Sequence, residues 1–292
     1  MPEEKPSSSA EMVTAGRAAE SMKPKDERIC YDPFAQYFLG WKFTLFSKSR
    51  LLTKIAFWRA EQTSPGTVGC LAGRTRYIDE YLQKCIDDGI EQLVILGAGY
   101  DSRPYRFDEL KEKVKVFEID HPATQKVKIE KVKKIFGSLP THVTYVSIDF
   151  NKEKLETRLF ESGYNKNLKT LFIWEGVTHY LTAEAVDETL SFVAQNSGRG
   201  SSIVFNYIFQ SVVDGTNKAE NAKKIIKNYE KGGEPLRFGI EEGTIEKFLS
   251  ERGFYKIKNV TGEFFKDAYF KGKNMNRNVC HLCGFVYATV KS

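Results

Sequence analysis

The chain has 292 residues, 41% hydrophobic and 28% charged, enough to bury the core of one large domain or two small ones. No apolar run approaches the roughly 20 residues of a membrane-spanning helix, the polar start MPEEKPSSSAEM lacks the apolar segment of a secretory signal, and five cysteines without small-scaffold spacing speak against a disulfide framework. The net charge of +6 (pI near 8.8) is scattered among almost as many acids, which fits a cytoplasmic enzyme better than a nucleic-acid binder with one basic stripe.

Residues 1–10 are polar and read as a disordered tail. Residues 11–20 are good helix formers, Lys23-Pro24-Lys25 interrupts them, and Asp32-Pro33 signals a turn before an aromatic helix. From Pro33 to Ala60 there is no acid, while Lys42, Lys48, Arg50, Lys54 and Arg59 interleave with Trp41, Phe43, Phe46, Phe57 and Trp58. Such a stretch can lie on a membrane surface; the commoner use is helical packing with the charges facing water. After TSPGTVG, Leu71, Ile78, Leu82 and Ile86 give helical spacing over 71–88, and Gly89 ends it. Residues 11–88 therefore read as an N-terminal helical arm.

Strand-like runs follow at 92–96, 114–119, 143–148, 170–174, 202–208, 255–260 and 284–290. Helical patterns stand between them at 124–136, 152–162, 183–195, 218–230 and 242–251. This alternation predicts an α/β fold over 89–292, a mostly parallel sheet with helices on both faces, carrying an insertion at about 209–240.

The stretch LVILGAGYDSRPYRF (93–107) is a strand running into a glycine turn, and ligands of open α/β sheets sit at such carboxyl ends. Gly97 and Gly99 let backbone approach a ligand closely. A dinucleotide fingerprint would want a third glycine where Ser102 stands, and Asp101 would repel a pyrophosphate. Beside the ammonium or sulfonium of S-adenosylmethionine the same charge is favourable. Glu118 and Asp120, at the end of the next strand, suit ribose hydroxyls. Asp149-Phe150 offers a carboxylate and an apolar wall for adenine, or Asp149 is a helix N-cap. IWEGVTHYL brings Glu175 and His179 to the same rim. CHLC (280–283) has no second ligand pair to close a zinc site and reads as buried packing.

At this point the chain resembles the S-adenosylmethionine-dependent methyltransferases of the leucine carboxyl methyltransferase family, in its bacterial and archaeal O-methyltransferase branch. The marks are RAAES (17–21), YDPFA (31–35), GRTRYIDEYL (73–82), LGAGYDSRPYRF (96–107), FEIDHPATQKVK (117–128), WEGVTHYL (174–181) and PLRFGI (235–240). The resemblance implies a Rossmann-like class I fold with a seven-stranded sheet and an N-terminal helical lid. It implies that Arg74 reaches the methionine carboxylate, with Gly97 and Gly99 beneath the methionine part. Asp120, with Glu118 as neighbour, would bind ribose, Asp149 and Phe150 adenine, and Glu175 would lie beside the methionine amino group.

The implied reaction is O-methylation of a carboxylate or hydroxyl, on a small molecule or a protein terminus, with S-adenosylhomocysteine as product. A carboxylate needs no general base; a hydroxyl would, and His179 or Tyr180 is then the candidate. His179 stands where relatives often carry an apolar residue, so no catalytic role is inherited. Arg103 and Arg106 belong to the signature, or simply tie the turn to neighbouring acids. The basic arm leans towards an anionic acceptor. Two other readings stay open: a non-catalytic S-adenosylmethionine-binding protein and a tRNA-modifying methyltransferase. Acceptor and oligomeric state are not set by the sequence.

Overall fold

The computed structural model describes residues 7–40, 50–149 and 153–291. The helices in chain order are α1 (Ser8–Ser21), α2 (Arg50–Thr63), α3 (Thr67–Asp87), the short α4 (Arg103–Arg106) and α5 (Asp108–Lys113), then α6 (Pro122–Phe136) and α7 (Leu155–Glu161). They continue with α8 (Ala183–Gln195), α9 (Gln210–Val213), α10 (Glu220–Lys231), α11 (Ile245–Ser250) and α12 (Gly262–Tyr269). The strands are β1 (Gln92–Leu96), β2 (Lys115–Asp120), β3 (Val143–Ser147), β4 (Thr170–Trp174), β5 (Ser202–Ile208), β6 (Phe254–Thr261) and β7 (Cys283–Val290).

One seven-stranded sheet runs β3-β2-β1-β4-β5-β7-β6. β1 to β5 are parallel, and β7 is antiparallel to both β5 and β6. β1, β4 and β5 are buried at every position, as expected when helices cover both faces and the strand must be apolar throughout. Alternate residues of β1 split between two cores: Val94 and Leu96 pack with Leu159 and Leu190, while Leu93 and Ile95 pack with Leu82 and Val132. At the edge, β6 instead exposes Tyr255, Lys256 and Lys258, and lysines there discourage pairing with another chain.

All seven expected strands form, and each expected helix within the sheet domain is present with ends shifted by a few residues. The start of the chain differs. Residues 7–10 belong to an ordered helix rather than to a tail, because the Ser7 hydroxyl accepts the Ala10 N–H (3.2 Å) and caps α1, while the Ser7 N–H donates to Thr124 Oγ1 (3.2 Å). Residues 1–6 lie outside the described residues, as do Trp41, Lys42, Phe43, Phe46 and Lys48 of the basic aromatic stretch. The described part of that stretch is α2, which leaves Trp58 63% exposed.

The segment after β5 leaves and returns at one point. Phe209 and Ile240 form a parallel bridge, the Gln210 N–H donates to the Ile240 carbonyl (3.0 Å), and the Ile240 N–H donates to that of Ile208 (3.1 Å). Between these ties lie α9 and α10. The Asn228 amide on α10 donates to the Thr63 carbonyl (3.0 Å) and to Ser64 Oγ (2.6 Å), joining the insertion to the end of α2. No helix among the described residues is long and apolar enough to cross a membrane.

Candidate functional site

β1 lies between β2 and β4, where the strand order reverses, so its carboxyl end opens on the switch-point crevice. The chain leaves it through Gly97 (φ 69°) and Gly99 (φ 45°). A Cβ on Gly97 would stand 2.3 Å from Val177 Cγ2, so both the backbone angle and the close approach require glycine. Asp120 supports the turn from the last position of β2: one carboxylate oxygen accepts the Gly99 N–H, the other the His121 N–H (2.7 Å). Burial raises the pKa of Asp120 against the pull of these two N–H groups.

A buried charge network flanks the turn. Arg74 on α3 donates its Nε to Glu175 Oε1 (2.7 Å), and Arg103 donates Nη1 to Glu175 Oε2 (2.7 Å) and Asp101 Oδ2 (2.6 Å). Arg103 Nε (2.8 Å) and Arg106 Nη2 (2.6 Å) meet on Asp79 Oδ1. Arg103 and Arg106 do tie the turn to neighbouring acids. The charge on Asp101, set beside a sulfonium in the sequence reading, is largely offset by Arg103. The two terminal nitrogens of Arg74 make no hydrogen bond to a described residue.

A crevice of about 420 Å³ gathers Arg74, Gly97, Gly99, Asp101, Asp120, Asp149 and Glu175. Phe150 lies outside the described residues. Asp149 is not the N-cap of the next helix, which begins at Leu155 behind Lys154. Glu118 stands apart from the crevice. Its carboxylate is buried beneath the rim, paired with Lys128 Nζ (2.8 Å) and accepting the Tyr105 hydroxyl (3.0 Å). Burial pushes its pKa up to about 7, with Lys128 pulling the other way. It is not part of the crevice lining.

After β4 a tight turn carries His179 and Tyr180. It is held by the Thr178 hydroxyl donating to the Asn206 carbonyl (2.8 Å) and by the Gly176 N–H donating to Asn206 Oδ1 (2.7 Å). The His179 ring lies 4.2 Å from the Tyr180 ring and 5.5 Å from that of Tyr229 on α10, centroid to centroid. Its Nδ1 is buried with no hydrogen-bond partner among the described residues. Burial, then Arg74, lowers the His179 pKa to about 3, so the ring is neutral at ordinary pH. Burial, then Tyr229, drives Tyr180 above the usual phenol range, which leaves it a protonated phenol and no base.

A second cavity of about 700 Å³ adjoins the first, and Arg74, His179, Tyr180 and Tyr229 line both. Its walls come from α1, α2, α3, α10 and β7. Cys280 and Cys283 line it beside Cys70, whose Sγ lies 3.5 Å from that of Cys283.

Sequence reasoning missed three contributors. Arg17 of α1 donates to the Tyr100 carbonyl (2.6 Å) and to Asp32 (2.9 Å), fastening α1 to the glycine turn. Met12 and Val13 cover the crevice. Ile225 and Tyr229 of the insertion wall the larger cavity. Only Arg17 left a legible sign, in the RAAES motif.

The sequence pattern of the leucine carboxyl methyltransferase family matches residues 10–194, more than half of the chain. A protein named "Putative S-adenosyl-L-methionine-dependent methyltransferase YktD" from Bacillus subtilis (strain 168) is 30% identical over 239 residues, 82% of this chain and 77% of its own. The crystal structure of a DUF574 family protein from Streptomyces avermitilis MA-4680 matches with a TM-score of 0.62 at 10% identity, over 98% of both chains. A "putative methyltransferase" from Thermobifida fusca YX matches with a TM-score of 0.60 at 11% identity, over 99% of this chain and 96% of its own. The structural matches share the fold, and the glycine turn, the acids at three strand ends and the helical cover complete the likeness. The chain belongs to the leucine carboxyl methyltransferase family of S-adenosylmethionine-dependent methyltransferases.

Proposed function

We propose that the protein is an O-methyltransferase with its donor in the 420 Å³ crevice and its acceptor, a hydroxyl or carboxylate compound, in the 700 Å³ cavity. The observation that carries this reading is the shared wall of Arg74, His179, Tyr180 and Tyr229. A donor and an acceptor packed against these same side chains would be close neighbours.

The residues of the crevice fit S-adenosylmethionine. The Gly97–Gly99 turn leaves room that a Cβ would fill. Asp120 keeps lone pairs on both oxygens beyond its two backbone bonds, as ribose hydroxyls need. The unused terminal nitrogens of Arg74 form a fork suited to the methionine carboxylate. When bound, S-adenosylmethionine supplies an already activated methyl group on a sulfonium. The protein's task is then alignment and exclusion of water, and alignment is worth up to roughly 7–11 kcal/mol in favourable cases. Here α1 covers the crevice and is fastened to the turn by Arg17, which suits it to act as a lid.

The test is calorimetric titration with S-adenosylmethionine and S-adenosylhomocysteine, repeated on Asp120→Ala. Saturable binding that the substitution weakens supports the donor assignment. Absence of binding by folded protein would leave only the shared fold.

A further inference from the structure

Resting on that donor assignment, we propose that the acceptor is an uncharged molecule with an apolar body, methylated on a hydroxyl that hydrogen-bonds to the His179 ring, and that it is neither a carboxylate nor a peptide terminus.

The size and chemistry of the larger cavity point this way. About 700 Å³ is room for a drug-sized ligand. The lining is mostly small and apolar, with Ala15 and Ala19 from α1, Ala56 and Phe57 from α2, Ile225 from α10 and Phe285 from β7, and it carries neutral polar groups such as Asn206 and Asn228. Among the described residues Arg74 is its one cation, and Glu175 already takes that residue's Nε. The terminal nitrogens of Arg74 are the fork that suits the donor's own carboxylate. Among the described residues, an acceptor carboxylate would therefore enter a mostly apolar space that holds Glu234 and no cation besides Arg74, a costly arrangement. Of the five basic residues of the basic aromatic stretch, Arg59 is exposed on α2, and Lys42 and Lys48 lie outside the described residues.

His179 supplies the second, independent observation. It lines both cavities, it is buried, and its Nδ1 lacks a partner. A buried polar atom left unpaired is a standing cost unless a ligand completes it. A neutral imidazole presents one nitrogen as acceptor and one as donor; with Nδ1 as the acceptor, the ring matches a hydroxyl and mismatches a carboxylate. In the transfer the acceptor oxygen's lone pair would form the new O–C bond, the methyl–sulfur bond would break with its electrons going to sulfur, and the hydroxyl proton would leave to solvent. The neutral His179 ring orients the hydroxyl through a hydrogen bond and does not keep its proton.

The experiment uses the intact protein with three matched compounds: para-phenylphenol, para-phenylbenzoate and biphenyl. Each is titrated calorimetrically into protein saturated with S-adenosylhomocysteine, and methylated product is assayed separately with S-adenosylmethionine. The phenol is expected to bind about tenfold tighter than the benzoate or biphenyl, a preference set by the hydrogen bond. It is also expected to be the one methylated. In His179→Leu the phenol is expected to fall to the affinity of biphenyl, measured on protein saturated with S-adenosylhomocysteine at that variant's own affinity, and His179→Gln is expected to restore part of the preference. Binding of the benzoate ahead of the phenol overturns the inference, as does an unchanged preference in His179→Leu. So does binding of S-adenosylhomocysteine with none of the three compounds. Failure of S-adenosylhomocysteine itself to bind overturns the donor assignment instead, so the two failures are told apart.

Discussion

Arg74 and Glu175 meet at 2.7 Å between α3 and the end of β4, each nearly closed off from solvent, and the contact locks the helical arm to the sheet at the crevice. Burial alone would raise the Glu175 pKa, but Arg103, Arg74 and Arg17 together outweigh it and hold the carboxyl well below the usual range. Glu175 is thus an anion at any pH where the protein is folded and active.

Removing that anion leaves the buried Arg74 guanidinium without its acid and takes one of three acids from Arg103. Glu175→Ala is expected to lower the unfolding free energy by about 3–5 kcal/mol. Because the folded pKa is depressed, the Glu175 contribution is complete above the unfolded value of 4.5 and is lost as pH falls through the folded value. Urea unfolding of both proteins should show a constant gap near neutrality that narrows in acid; a gap independent of pH would mean that the charge is not what stabilises.

His179 gives a linkage of the same sign in a higher pH range. Its pKa falls from 6.5 to about 3 on folding, so below 6.5 the unfolded chain binds a proton that the folded one does not, and stability declines as pH drops towards 3. The charged and titratable groups around it are Arg74, Tyr180, Tyr229, Glu234 and Arg237. His179→Leu should flatten this part of the stability profile, by up to one proton's slope, about 1.4 kcal/mol per pH unit. Equal slopes in both proteins would show that the ring already titrates normally.

At the glycine turn two costs can be separated. Gly97→Ala meets Val177 at 2.3 Å and must hold a φ of 69°. The positive φ alone costs about 1–3 kcal/mol, and the clash adds to it. Gly97→Ala combined with Val177→Ala should recover the clash but not the strain, giving a melting temperature between those of the single Gly97 variant and the parent. Recovery to the parent value would remove strain from the account.

Asp120 has two tasks, and two substitutions divide them. Asp120→Ala strands the Gly99 and His121 N–H groups and removes the hydroxyl acceptor, so S-adenosylhomocysteine binding should weaken by about tenfold or more. Asp120→Asn keeps one carbonyl acceptor and should lose less. Calorimetry on both variants checks the order.

The sheet was legible because strands covered on both faces must be apolar at nearly every position, as QLVIL, TLFIW and SIVFNYI are. Once those strands are parallel, their last residues share one rim, which is why Gly97, Asp120, Asp149 and Glu175 could be grouped from spacing and motif. Glu118 was misjudged for a matter of depth. It lies two residues back, about 7 Å down the strand, where Lys128 and Tyr105 close over it. Ser7 was read as tail because capping depends on one hydroxyl contact rather than on composition. Ile225 and Tyr229 gave no signal, since a cavity wall asks only for apolar shape at helical spacing, and a packed core asks for the same.

The bridge between Phe209 and Ile240 has a consequence for how such a protein diversifies. An excursion that returns to its own starting point can change length and sequence without shifting the register of β5 or β7, since loop closure grows costlier only slowly with length. The glycine turn and Asp120 sit at strand ends that cannot vary freely, whereas Ile225 and Tyr229 of the larger cavity sit on this excursion. Exchange of residues 210–239 between relatives would therefore alter the wall of the larger cavity together with the part of the crevice formed by Tyr229, Glu234 and Arg237, while the register of the strands is kept.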